Sequence, residues 1–356
     1  MSRLKGINAA VLLWATGLLV GHSLSAKTVT DMLGRKVQVP DQIKSVYTDR
    51  FTSLIVFAID PDLACNYTFE LGDEAKRYIS SVYYEGKTFT RESDETILQL
   101  APDVVVLGTF GGLRDTGDAD RMQKKLRIPV LVLDIRLENY RAMFSLLGNV
   151  LGRPQAAARI DGFIRQYIEP LGVKARQIPK AQRSSVYYAE GPKGQNTEPC
   201  GSIHSQVMNY LDVPNVAQTT LGGTHGMSPV SMEQVLAWNP QTVLVWTGFP
   251  PGLGMDNLPD AKQSTLSHIL SDASWANIKA VKDKKVYQIP VLPFGWFDRP
   301  PSSNCLGGVF WTAKTLYPQW FDFDLNEVAK LYFSLFYHVE LSPSDVSAIL
   351  DRKPDR

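Results

Sequence analysis

The chain has 356 residues, 44% of them hydrophobic and 21% charged, a balance that suits folded domains and a length that allows two of them. With 37 basic against 36 acidic residues the formal charge is +1, which excludes the strongly basic footprint of a nucleic-acid-binding protein. After the first 20 residues no stretch is apolar enough to read as a membrane span.

The opening stretch, "MSRLKGINAAVLLWATGLLVGHSLSA", carries Arg3 and Lys5, an apolar run through Val20 and small residues up to Ala26. It reads as a secretory signal peptide over 1–26, removed near Ala26. Its apolar run is short for the roughly 20 residues a spanning helix needs. Export implies an oxidising compartment. The cysteines are Cys65, Cys200 and Cys305, an odd number with no CxxC spacing. Spacing leaves open whether Cys200 pairs with Cys305 or all three are free.

"TVTDMLGRKVQVP" (28–40) alternates about Leu33-Gly34-Arg35 as a small hairpin does. Beyond it the chain repeats. "ILQLAPDVVVLGTFGG" (97–112) lies over "VLAWNPQTVLVWTGFP" (235–250), with Pro102 on Pro240, an offset of 138. "SVYTDR" from Ser45 lies over "SVYYAE" from Ser185, an offset of 140. Each copy reads as a helix end, a proline break, a buried strand and a loop. The β-branched runs "PVLVLDI" (129–135), "TVLVW" (242–246) and "KVYQIPV" (285–291) alternate with helical stretches, the pattern of mainly parallel sheets covered by helices.

Between the copies, Pro154 suits a first helical turn, and Ala157, Ile160, Ile164, Ile168 and Leu171 form an apolar stripe with Arg159, Arg165 and Gln166 elsewhere. This predicts one long helix, kinked at Pro170. The fold expected is α/β: two Rossmann-like lobes with mainly parallel sheets, joined by one long α-helix, with a ligand cleft between them. The boundaries are a first lobe over 27–151, the linking helix over 152–180 and a second lobe over 181–356.

The leader, the D-x-x-GR-x-V-x-VP hairpin, "LAPDVVVLG" with its echo, the single linking helix, "GSIHSQVMNYLDVPNVA" (201–217) and "SMEQVLAWNP" (231–240) together resemble the helical-backbone class of periplasmic substrate-binding proteins. The resemblance covers nearly the whole mature chain. It implies a periplasmic, monomeric solute-binding component of an ABC importer for iron–siderophore complexes, haem or corrinoids, partnered by an inner-membrane permease and its ATPase. It also implies one carboxylate per lobe offered to permease arginines, which falls on Glu74 in the first lobe and Asp212 in the second. No intrinsic cofactor is expected. The ligand expected is iron(III) held as a siderophore chelate, with haem or a corrinoid as the alternative.

Ligands of open α/β sheets sit beyond the carboxyl ends of the strands. In the first lobe those loops hold Arg50, Tyr84, Phe110 and Arg114; in the second they hold Glu190, His225, Trp246, Phe249, Phe294, Trp296, Phe297 and Arg299. The rings offer broad apolar contact, and Arg50, Arg114 and Arg299 offer planar forks to an anion. "PFGWFDRPP" (293–301), with three rings and an arginine between prolines, is expected to be the second-lobe wall of the cleft. The alternative is that its rings cap the lobe's own core.

Outside the leader the histidines are His204, His225, His268 and His338, too dispersed to suggest a free-metal site. The resemblance implies that, as in some relatives, a histidine and a tyrosine from second-lobe loops could complete the shell of an under-coordinated iron–siderophore. His225 falls where that histidine would, but Phe294 or Trp296 occupies the tyrosine position and cannot ligate. No HExxH, GxSxG, P-loop or GxGxxG motif supports an enzyme. Cys200 and His204, four residues apart, lack a third group to orient them. A metal- or chelate-processing enzyme on the same scaffold is the remaining alternative class.

Overall fold

The computed structural model describes residues 25–90, 93–218, 227–246 and 264–351. Of the leader expected over 1–26 only Ser25 and Ala26 fall within them, and Ala26 opens the first strand, Ala26–Thr30. That strand pairs antiparallel with Lys36–Pro40, as the hairpin pattern predicts. The buried Asp31 organises the turn. Its Oδ1 accepts from the backbone of Leu33 and Arg35 at 3.0 and 2.9 Å, and Gly34 takes the φ of +80° the bend requires. Arg35 then docks the hairpin on the first lobe, reaching the Val130 carbonyl at 3.1 Å and Asp120 at 2.8 Å.

The first lobe is built on a parallel sheet in which Val104–Thr109 lies between Val46–Thr48 and Val130–Asp134. The strand "VVVLGT" is buried throughout, because both its faces are covered. Val104 and Val106 face the main core, while Val105 and Leu107 face an outer layer with Ile97, Ala119 and Leu126. In the second lobe Thr242–Val245 lies, also parallel, between Val186–Ala189 and Val286–Gln288.

The repeat read from the sequence holds at the level of single hydrogen bonds. Asp103 N donates to Ser45 O at 2.9 Å, and Gln241 N donates to Ser185 O at 3.0 Å. Val46 bridges to Ala64 on its far side, as Val186 does to Asn215. The helices leading into the central strands, Asp94–Leu100 and Met232–Trp238, start on capping serines Ser93 and Ser231. Such a cap contributes about 1 kcal/mol. They end on Ala101 and Asn239, both left-handed, at φ 45° and 43°. The following prolines, Pro102 and Pro240, prevent either helix from continuing.

The linking helix runs without a break through Pro154–Phe163, Ile164–Ile168 and Glu169–Gln177. The predicted stripe of Ala157, Ile160, Ile164, Ile168 and Leu171 is buried. Ahead of Pro170, the turn widens to π-type hydrogen bonding over Ile164–Ile168. The proline has no N–H to donate to the preceding turn, and the wider turn accommodates the missing bond.

The chain past residue 300 does not stay with the second lobe. Ser302 Oγ donates to Phe51 O at 2.7 Å, Ser80 N to Tyr337 O at 2.9 Å, and His338 Nε2 to Phe57 O at 2.8 Å. The helices Cys305–Leu316 and Leu325–Tyr337 therefore pack across both lobes, and one continuous core includes residues of each. Among the described residues no helix is long and apolar enough to cross a membrane.

Candidate functional site

The sheets deliver their carboxyl ends to a seam between the lobes. On the first-lobe side the chain leaves Val46–Thr48 through Asp49 and Arg50. Asp49 is buried, and its carboxylate accepts from the backbone of Phe51, Thr52 and Gly108 at 3.0, 3.0 and 2.9 Å. Arg114 folds back on this group, its Nη2 3.4 Å from Asp49 Oδ2 and its Nε 3.2 Å from Gly108 O. Arg114 therefore braces the strand ends and keeps only part of its side chain at the surface. Arg50 is exposed, with its guanidinium 4.9 Å from the Phe51 ring. Tyr84 is half-buried beside the Lys76 ammonium. Phe110 is half-buried and lines an interlobe cavity of about 590 Å³, together with Arg136, Arg176, Gln206 and Tyr210.

The second-lobe residues are distributed differently from the expectation. Phe294, Trp296 and Phe297 are each 0% exposed. Phe294 meets Phe69 and Tyr83 of the first lobe at 5.8 and 5.9 Å between ring centroids. Trp296 packs on Phe310 and Tyr332 at 5.4 and 5.9 Å and donates from Nε1 to Leu292 O at 2.9 Å. Phe297 lies 5.3 Å from Tyr188. The loop expected to wall the cleft is thus core, and Phe294 cements the two lobes together. The reason is packing space: on Cys305–Leu316, Gly307 leaves room for the indole and Gly308 for the Trp296 carbonyl to lie against the helix backbone.

Arg299 is buried as well, at 6% exposure. Its guanidinium stacks 4.3 Å from the Trp246 ring and reaches Glu190 at 2.8 Å, Glu198 at 3.2 Å and the adjoining Asp298. Trp246 and Glu190, expected in the cleft, are buried around it. Glu190 is at ion-pair distance without hydrogen-bond alignment. Burial pushes its carboxyl well above the usual carboxylate range, Arg299 opposes that shift, and Glu198 adds to it. Asp298 behaves oppositely. Burial raises it, but Arg299 and His204 together hold it below the ordinary range.

This network anchors the margins of the second lobe's loops. Glu198 accepts from Ser202 Oγ and Met227 N, both at 2.7 Å, and Asp298 accepts from Tyr188 at 3.0 Å. Asp298 also holds His204 Nδ1 at 3.0 Å. His225 and Phe249 lie outside the described residues. Glu198 and Asp298 were not singled out from the sequence, and His204 was weighed there only beside Cys200; nothing in the chain order pairs it with a carboxylate at position 298.

Among the described residues, Glu198, His204 and Asp298 are the cluster whose ligand atoms approach within 4.8 Å of one another. The Arg299 guanidinium already bridges the two carboxylates, so a cation is present there in the form of a side chain. All three cysteines are free, with Cys305 buried and Cys200 exposed. Burial raises the Cys200 thiol above its ordinary value, which disfavours the thiolate a nucleophile needs.

Of the two expected permease contacts, Glu74 is exposed and Asp212, in a left-handed turn, is paired with Arg183. The repeat matches a different pair. Glu95 and Glu233 stand at equivalent places in the first turns of Asp94–Leu100 and Met232–Trp238. Both are exposed and held ionised, with carboxyls lowered by the backbone amides of their helix starts and by Ser93 and Ser231. One turn on, Leu98 and Leu236 are 51% and 41% exposed.

A two-lobed α/β scaffold with parallel sheets aimed at a seam, spanned by one helix, defines a solute-binding protein, and the chain belongs to the periplasmic binding protein family, whose profile matches residues 67–291. It is 26% identical to the molybdate-binding protein MolA of Haemophilus influenzae, an alignment covering 97% of this chain and 99% of that one. The molybdate-bound structure of MolA superposes with a TM-score of 0.64 at 25% identity, over 92% of this chain and 100% of that one. An ABC transporter solute binding protein from Sulfurospirillum deleyianum superposes with a TM-score of 0.80 at 25% identity, covering 91% and 99% of the two chains. The iron-uptake system-binding protein FeuA of Bacillus subtilis shares the fold, with a TM-score of 0.58 at 17% identity over 81% and 99%.

Proposed function

We propose that this protein is the periplasmic solute-binding component of an ABC importer, and that its ligand is a small oxyanion of the molybdate class held between the lobes. It acts by binding and delivery, without catalysis. The observation that carries the choice of ligand is the burial of Phe294, Trp296 and Phe297. A bulky chelate with aromatic limbs wants broad apolar walls, and those rings serve the core. Among the groups near the seam that remain accessible are compact charged and polar ones: the exposed Arg50, the partly exposed Arg114 and the edge of His204. The full-length likeness to a molybdate-binding protein points the same way.

An iron(III)–siderophore complex is the second reading, favoured by one feature. Tyr84 and Phe110 stay half-buried on first-lobe loops, so some ring surface remains for a chelate. Titration calorimetry of the purified protein with molybdate, tungstate, sulfate and a ferric catecholate siderophore separates the two. Saturable binding of molybdate and tungstate alone supports the oxyanion. Binding of the ferric complex alone overturns it in favour of the chelate.

A further inference from the structure

We propose that His204 supplies the second lobe's contact to the ligand through Nε2, and that Asp298 is the residue that positions it. This rests on the oxyanion reading above and names the donor that reading needs.

The geometry is that of an imidazole held by one nitrogen and offered by the other. Nδ1 lies 3.0 Å from Asp298 Oδ2, and the side chains are 16% and 0% exposed. Nδ1 is fully buried, at ion-pair distance from Asp298 without hydrogen-bond alignment, so the part of the ring that is exposed lies on the side away from Nδ1. Asp298 also accepts from Tyr188 at 3.0 Å and from Arg299. An ionised carboxylate only accepts, so Nδ1 must carry a proton, which sets the tautomer and leaves Nε2 for the ligand. In the imidazolium form both nitrogens donate, and Nε2–H then meets an anion. The charged groups around the ring are Asp298 and Glu198, with Arg299 bridging them.

His204 also sits at the seam. Two residues on, Gln206 accepts from Leu137 N of the first lobe at 3.1 Å, and Gly201 lines the interlobe cavity. Four residues past Asp298, Ser302 bonds to the carbonyl of Phe51, next to Arg50. The segments that carry His204 and Arg50 therefore each lie next to a contact that crosses the seam.

The test is molybdate titration of wild type, His204→Ala and His204→Gln, with melting temperatures recorded alongside. A lost charge-assisted hydrogen bond should weaken His204→Ala roughly 10- to 100-fold. His204→Gln, which keeps a donor, should recover part of that. For Asp298 the readout is the imidazole ¹⁵N spectrum: Asp298→Asn should shift the His204 proton from Nδ1 towards Nε2. If wild type binds molybdate and His204→Ala binds it equally well, the assignment to His204 is overturned and the oxyanion reading stands. If wild type binds neither molybdate nor tungstate, the oxyanion reading falls and takes this proposal with it. An unchanged tautomer in Asp298→Asn overturns the positioning role.

Discussion

The backbone carbonyl of Trp296 lies so close to Gly308 that a Cβ placed there would stand 2.3 Å from its oxygen, while the indole lies against Gly307. Tryptophan and glycine thus act as one unit of core. Trp296→Ala should destabilise the protein by about 3–5 kcal/mol. Gly308→Ala should also destabilise it, since neither backbone can give way. Urea unfolding of both variants measures this. A Trp296→Ala protein with wild-type stability and lost ligand binding would return the ring to the cleft.

Arg299 faces three buried carboxyls, so its loss should be costly in a pH-dependent way. Arg299→Met leaves Asp298 and Glu198 without their guanidinium, and breaking a buried pair costs about 3–5 kcal/mol. Arg299 is among the groups that hold Asp298 below the ordinary range. A depressed carboxylate contributes its stability at higher pH and loses it as pH falls through its folded value. The gap between wild type and Arg299→Met should therefore be widest near neutrality and narrow on acidification. Denaturant midpoints at several pH values check it, and a gap that stays constant would mean the guanidinium acts through packing alone.

If an importer is the partner, its docking face should follow the repeat. Glu95→Lys and Glu233→Lys should each impair uptake in cells while leaving the purified protein's ligand affinity unchanged. Reversal at Glu74 or Asp212 should do less, because the two do not share equivalent helix positions. Uptake that depends on Glu74 and ignores Glu95 would reverse that assignment.

Lobe closure should be small. The linking helix is continuous and Phe294 is wedged against Phe69 and Tyr83 of the other lobe. Scattering profiles with and without ligand should nearly superimpose, whereas a clear compaction would show that this seam opens.

Much of the fold was legible because it is local. Pro102 and Pro240 mark helix ends, "VVVLGT" marks a strand covered on both faces, and the stripe from Ala157 to Leu171 marks a helix. The hairpin motif was legible too, although the role of Arg35 in docking it on the first lobe was not. The repeat offset even carried the equivalence of Glu95 and Glu233, which became visible once their shared helix position and exposure were known.

The site was less legible, because composition does not say which side of a loop faces inward. "PFGWFDRPP" has the residues of a binding wall and also those of a core plug. What chose between them was the pair of glycines on the helix that follows, together with Phe69 and Tyr83 from the other lobe. Local periodicity, capping and turn chemistry are written in neighbouring residues, so the sequence alone determined the lobes, the parallel sheets and the linking helix. The burial of Arg299 against Glu190 and Glu198, and the placing of His204 against Asp298, join residues about a hundred positions apart. Such contacts depend on how finished elements pack, and only the tertiary structure decides them.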